Sequence, residues 1–281
     1  MPTRPVHSSE QTPPDPGLYG PDSVTWRVHA DPVMIVAGLR ALLLQAVHPV
    51  AMAGVAQFSN YRVNPWQRLQ RTAEFVARTT YGTQAEARER GRSVRDVHDR
   101  LAGVDPDTGR AYRVSDPHLL RWVHVCEAES FLSTYRRAGG RLAPGDADRY
   151  YAEQQTAAEL VGCPDVPTTE AAVRDYLQDM RPELHVGRDA RAAAFFIVNP
   201  PMPRWVSFAT PAKPAWWALG GLSVSLLPRW ARRLYALPGL PTTDLGASLA
   251  VRSLRAALLT VPASAREGPS IKAAKARLGL E

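Results

Sequence analysis

The amino-acid sequence predicts an all-α protein with a single globular helical domain, and three observations lead to that prediction. Apolar residues recur at the helical period, several segments open with a capping residue followed by proline, and no alternating strand pattern or Asn-Gly hairpin signal is visible. The chain of 281 residues, 45% hydrophobic and 22% charged, is long enough to bury a sizeable core.

The first long apolar run is expected to lie in the middle of the fold. Asp31 is the predicted N-cap and Pro32 the first helical residue of the run VMIVAGLRALLLQAVHPVAMAGVAQF, which is apolar on nearly all sides. Pro49 lacks a backbone donor, so we expect it to break the helix near His48. A membrane span is the alternative interpretation, but polar residues within the run, such as Arg40, favour a buried helix without stable membrane insertion.

Two helices of mixed polarity are predicted next. The first is capped by Asn64 and stops at Gly82. One stripe of this helix contains Arg68, Thr72, Phe75 and Thr79, with Arg71 at its border. The second is expected from residue 84 to 102, followed by a loop rich in turn residues.

The remaining helices are predicted from the same start and stop signals. Asp116 and Pro117 open a helix that ends at Gly139, with Leu120, His124, Glu127 and Phe131 on one side. Further helices are expected over 144–161, 169–180, 187–199, 215–227, 229–236 and 242–260. The segment 214–228 carries no charge and two adjacent tryptophans. Three interpretations are open for this segment: a buried helix, one wall of a hydrophobic substrate channel, or a contact with a membrane surface.

Composition limits the domain organisation and the compartment. Residues 1–24 contain six prolines and are expected to form a flexible or surface-wrapped arm, followed by a helical domain over 25–262 and a C-terminal tail over 263–281. No Sec signal or twin-arginine leader is visible, so we expect a cytoplasmic protein. The two cysteines, Cys126 and Cys163, lack metal-site spacing, although one disulfide remains possible.

The net charge of +7 does not predict nucleic-acid binding, because acidic and basic residues are interleaved and no recognition motif occurs. Phosphate-cradling loops, nucleophile elbows and HExxH-type metal motifs are also missing from the sequence. These absences argue against a nucleotide-binding enzyme, a serine hydrolase and a self-contained zinc or di-iron site.

Histidines are the remaining candidates for metal chemistry. Three of the seven are expected to point inward from helices, namely His48, His98 and His124. The other four are expected to be exposed or outside clear stripes, namely His7, His29, His118 and His185. His98 shares a helix face with Arg95, an arrangement that suits a haem iron with a propionate partner. A core histidine bound to a backbone carbonyl is the alternative.

Several motifs resemble a known oxygenase family. The run RALLLQAVHPVAMAGVAQFSNYRVNPWQRLQRT, then VRDVH, DPHLLRWVH and YYAEQ, are similar to the family that joins rubber-cleaving latex-clearing proteins to the farnesyl-cleaving oxygenase of mycophenolic acid biosynthesis. The resemblance covers roughly residues 26–259 and implies an all-helical fold that binds haem b through one proximal histidine. The family's R-x-x-H pair implies that His98 is this iron ligand, with Arg95 beside it.

The family's R-x-x-K-T segment resembles Arg68, Arg71 and Thr72, and the resemblance implies that these residues lie near the haem face. Arg71 replaces a lysine that can approach the iron in rubber oxygenases. A guanidinium stays protonated and has no lone pair to donate, so Arg71 is not expected to coordinate iron. The catalytic glutamate of rubber cleavage has no assigned counterpart here.

We therefore expect a haem b-dependent oxygenase that uses dioxygen on a hydrophobic small molecule, with oxidative C=C cleavage as one possible reaction. Arg71 and Thr72 are the candidate catalytic residues, and His124 and His48 are further candidates for contact with the cofactor. The alternatives are a non-catalytic haem carrier or sensor and a metal-free protein that binds a hydrophobic ligand. A haem absorption band separates the last from the other two.

Overall fold

A computed structural model describes residues 13–280, and the prediction of an all-α protein is confirmed. The first part of the described chain contains α1 (Val24–His29), α2 (Met34–Gln45), α3 (Pro49–Phe58), α4 (Pro65–Tyr81), α5 (Gln84–Arg100) and α6 (Pro117–Arg137). The second part contains α7 (Asp146–Leu160), α8 (Glu170–Asp179), α9 (Arg188–Val198), α10 (Arg204–Ala209), α11 (Ala212–Leu226), α12 (Arg229–Leu234), α13 (Pro241–Leu259), α14 (Ala263–Arg266) and α15 (Pro269–Leu278). The predicted arm before residue 13, with His7, lies outside the described residues.

Side-chain caps explain six of the fifteen α-helix starts in the described chain. The Asn64 side chain accepts from the backbone N–H of Gln67, and Asp116 caps α6 in the same way. The predicted N-cap at Asp31 is wrong, because the helix begins at Met34. The Asp31 carboxylate instead accepts from Val33 N at 3.2 Å and pairs with Arg255 of α13 at 2.6 Å.

The predicted break at Pro49 is confirmed. Helices α2 and α3 meet there at a bend of 107°. The corner frees backbone carbonyls, and two of them find tertiary donors: Trp122 Nε1 lies 3.1 Å from the Gln45 oxygen and His185 N lies 3.0 Å from the Val47 oxygen. Within residues 13–280 no single helix has both the length and the apolarity to cross a bilayer; the bent pair reaches them only when taken together.

The core forms where α2 packs against α6. Its largest fully buried side chain is Trp122, surrounded by aliphatic residues of α2 such as Leu43 and Leu44. Arg40 is buried on the same helix, and its guanidinium binds the Glu129 carboxylate at 2.6 and 3.1 Å. Such a buried pair is tolerated only when its hydrogen bonds are satisfied.

A small β-hairpin lies where the sequence predicts the end of α5 and a loop. Strand β1 (Ala102–Val104) pairs antiparallel with β2 (Ala111–Arg113). The turn is closed by Asp105, whose carboxylate accepts from Asp107 N and Thr108 Oγ1. The prediction of helix up to residue 102 is therefore wrong by two residues, and the expectation of no strand is wrong for this hairpin.

The segment expected to be a tail packs on the domain. Ala274 of α15 is completely buried beside Trp26 and Tyr81, and Arg277 donates to the Tyr81 carbonyl at 2.9 Å. Residues 13–23 lie along the same region, where Asp15 accepts from the first backbone N–H of α5 at 2.9 Å. The junction between α4 and α5 is thus held by the first and the last segments of the described chain.

Candidate functional site

An apolar cavity of about 350 Å³ lies between the α2–α3 corner and helices α4, α5, α6 and α9. Its wall is largely aliphatic and aromatic, with contributions from Leu42, Val55, Phe58, Leu69, Leu119 and Phe196. Trp216 of the charge-free segment also lines it, while the adjacent Trp217 is half exposed. The volume falls in the range that small-molecule sites occupy.

His98 brings an imidazole to this cavity from the last turn of α5. The helix is positioned by a complete capping box at Thr83 and Glu86 and by Gly91, which touches Leu160 of α7. The Nδ1 atom of His98 is buried and has no hydrogen-bond partner. Burial lowers the pKa of the ring, so it is neutral at pH 7 and has a lone pair to donate.

Arg68 adds a cation to the same wall. Its Nη1 donates to the Ser59 hydroxyl at 2.7 Å, so the hydrogen-bond partner is neutral. Burial lowers the pKa of this arginine, and the nearby Tyr61 acts in the opposite direction. A buried guanidinium paired with a hydroxyl is suited to bind an anionic group that enters the cavity.

The other residues singled out on α4 and α5 have different surroundings. The Thr72 hydroxyl donates to the Arg68 carbonyl at 3.1 Å, which leaves its oxygen free only as an acceptor. Arg71 is exposed. Arg95 is exposed as well and donates to the Glu159 carbonyl at 2.6 Å, so it joins α5 to the end of α7.

His124 and Glu127 face inward from α6, one turn apart. Both are largely enclosed by the protein, and neither is among the residues that line the cavity. Burial lowers the pKa of His124 to about 4 and raises that of Glu127 to about 7. The Glu127 carboxyl can therefore hold or release a proton near neutral pH.

His29 is a partly buried polar residue that the sequence did not single out. Its ring bridges Thr80 Oγ1 at 2.9 Å and the Tyr150 hydroxyl at 3.0 Å, and burial lowers its pKa to about 3. The residue lies in the short helix α1, which offers no periodic signal long enough to read.

His48 is not among the residues that line the cavity. It caps α3, where its Nδ1 accepts from Ala51 N at 3.3 Å, and its Nε2 faces His118 and Glu183. The sequence offered no pattern that would join these three residues, because they come from three separate segments.

Fold and site together define an all-helical protein with an apolar pocket that one neutral imidazole and one guanidinium enter. Residues 26–260 match the family described as ER-bound oxygenase mpaB/B'/Rubber oxygenase, catalytic domain. The chain belongs to this family, as its sequence motifs predicted, and family membership supports an oxidoreductase activity. Neither the curated proteins nor the solved structures gave a significant match.

Proposed function

We propose that this protein is a haem b-dependent oxygenase that acts on a hydrophobic small molecule. The observation that carries the proposal is the His98 ring, which lines an apolar cavity and has a buried nitrogen without a protein partner. Imidazole is a strong axial ligand for haem iron, so a ring nitrogen with no protein partner is available to bind it.

Two residues that line the cavity, His98 and Arg68, fit such a group, whereas Thr72, Arg95 and Arg71 do not line it. His98 would be the iron ligand, and Arg68, whose partner is an uncharged hydroxyl, would bind a propionate. Thr72 Oγ1 would serve as an acceptor near the macrocycle, and Arg95 would act indirectly by fixing α5 against α7. Arg71 would contribute positive charge without coordinating the metal.

When bound, haem b supplies an iron centre able to activate dioxygen. The aliphatic and aromatic wall binds the substrate and excludes water, which favours molecules with little polar surface. On α6, outside that wall, His124 stays neutral at pH 7, and the Glu127 carboxyl can hold or release a proton at its oxygens. An electron-rich C=C bond is the group that we expect to be attacked.

The proposal is tested by absorption spectra of the protein after reconstitution with haem. The wild type is expected to show a Soret band that is lost or strongly shifted in His98→Ala, whereas His185→Ala, which removes a half-exposed histidine, should match the wild type. An unchanged spectrum in His98→Ala would assign the iron to another ligand, with His124→Ala as the next variant.

Oxygen uptake provides the functional part of the same test. Reconstituted wild type is expected to consume dioxygen when a hydrophobic olefin is added, and His98→Ala is not. A Soret band without uptake across a panel of such olefins would instead indicate a haem carrier or sensor.

A further inference from the structure

Three potential metal ligands meet beside the α2–α3 corner, outside the cavity. They are His48 at the start of α3, His118 in the first turn of α6 and Glu183 in the turn Arg181–Glu183. Glu183 Oε2 lies 2.8 Å from His118 Nε2 and 3.7 Å from His48 Nε2. One donor atom from each residue lies within 4.8 Å of the other two.

The His48 ring supplies the observation that points to a ligand. Its side chain is only 3% exposed, and its Nε2 is buried without a hydrogen-bond partner. Buried polar atoms in folded proteins are almost always paired, so an orphaned imidazole nitrogen directed at a carboxylate needs an explanation. A shared metal ion satisfies that nitrogen and the carboxylate together.

We propose that His48, His118 and Glu183 bind a divalent transition metal ion, with zinc as the favoured ion. Two imidazoles and one carboxylate are a common protein ligand set for zinc and leave a fourth position for water. Tetrahedral zinc with bonds near 2.1 Å places its donors about 3.4 Å apart. The two observed separations from Glu183, 2.8 and 3.7 Å, lie on either side of that distance.

The exposure of the ligands allows the site to close around an ion. His118 and Glu183 are 43% and 49% exposed, so small rotations bring their donor atoms into place without repacking the core. The same exposure opens the site to metal from solvent. The ion would join the beginnings of α3 and α6 to the turn Arg181–Glu183.

Metal binding requires one change in hydrogen bonding at His48. Its Nδ1 accepts from Ala51 N at 3.3 Å, whereas an Nε2 that binds metal requires the proton on Nδ1. That proton then needs a main-chain carbonyl as its acceptor, and the Ala51 N–H loses its bond to the ring. The ring therefore exchanges a long capping bond for a donor role that metal-bound histidines usually have.

The test is a calorimetric titration of zinc into untagged full-length protein that has been treated with chelator and dialysed. We expect one ion per chain for the wild type and binding weaker by at least about tenfold in both His118→Ala and Glu183→Gln. These two residues are exposed, so their replacement leaves the core intact. His185→Ala, which removes a nearby exposed histidine, is expected to bind zinc like the wild type.

Thermal unfolding gives a second readout that does not depend on oxygenase activity. Zinc should raise the Tm of the wild type and of His185→Ala but not that of Glu183→Gln. Absence of stoichiometric zinc binding to the wild type would overturn the proposal, as would equal affinity in all four proteins. Because haem content is measured separately by its absorption, this result is independent of the proposed oxygenase function.

Discussion

Two glutamates on α6, two residues apart, differ in their charged partners and in the ease with which their carboxyl groups ionise. Glu129 binds the buried guanidinium of Arg40 through both carboxylate oxygens. At Glu127 no charged partner offsets burial, which raises the pKa of its carboxyl to about 7. A carboxyl in that setting is costly to ionise, because no cation replaces the water it has lost.

Glu127→Gln is expected to change how stability depends on pH. The folded pKa of about 7 lies above the ordinary value of 4.5, so the stability present below pH 4.5 is lost as pH rises through 7. Glutamine does not ionise and has no such loss. We therefore expect the free energy of unfolding of Glu127→Gln at pH 8 to be higher than that of the wild type by roughly 1–3 kcal/mol. Urea unfolding at several pH values between 5 and 8 measures the difference.

Glu74→Gln is the matched control for that measurement. Glu74 is a half-exposed carboxylate on α4, paired with Arg78 one turn away. Its replacement should leave the pH dependence of unfolding close to that of the wild type. Equal slopes for Glu127→Gln and the wild type would mean that the Glu127 carboxyl is well solvated.

At the scale of elements, capping signals predicted helix starts where the capping side chain bonds its own helix. Asn64 and Asp116 do so, and their helices begin where the sequence indicated. Asp31 carries the same signal but binds Arg255, which is 224 residues away. No local pattern reveals an ion-pair partner at that distance. The β-hairpin was not predicted for a different reason, because strands of only three residues are too short to show an alternating pattern.

The contact between α5 and α7 depends on a glycine. A Cβ atom placed on Gly91 would lie 2.6 Å from Leu160 Cβ. Gly91→Ala should therefore force the helices apart and lower the free energy of unfolding by roughly 1–3 kcal/mol. Thermal or urea unfolding measures the loss.

Gly246→Ala provides the comparison within α13. A Cβ at Gly246 meets nothing within 4 Å, so alanine there should raise stability by roughly 0.5–1 kcal/mol through its better helix propensity. If both alanine variants were stabilised alike, α5 and α7 would not be in close contact.

The last helix, α15, connects distant segments of the chain. Arg277 donates to the carbonyls of Asp15 and Tyr81, so α15 links the beginning of the described chain to the end of α4. Sequence reasoning treated this region as a tail, because its short apolar stripe gives no hint of the Trp26 and Tyr81 surfaces that it covers.

Arg277→Ala is expected to lower the free energy of unfolding by roughly 1–3 kcal/mol, because several backbone carbonyls lose a charged donor. Lys272→Ala removes an exposed cation from the same helix and should change it by less than roughly 0.5 kcal/mol. Paired denaturant curves give both values. Equal curves for the two variants would show that α15 adds little to the stability of the domain.

The sequence predicted the candidate site only in part. The stripe on α4 and the position of His98 on α5 led to two residues that share the cavity wall, Arg68 and His98. The proximity of His118 to Glu183 was not predicted, because only tertiary folding brings the start of α6 beside the turn Arg181–Glu183. Periodicity reports which way a side chain points, but not which distant segment it meets.

The corner between α2 and α3 does not depend on its proline alone. In an uninterrupted helix the carbonyls of Gln45 and Val47 would accept from residues four positions onward, but here they are occupied by Trp122 and His185. In Pro49→Ala the new backbone N–H would find the Gln45 carbonyl already bonded to Trp122. The bend is thus maintained by Trp122 and His185 from elsewhere in the chain. A continuous straight helix could form only after their hydrogen bonds to these carbonyls had broken.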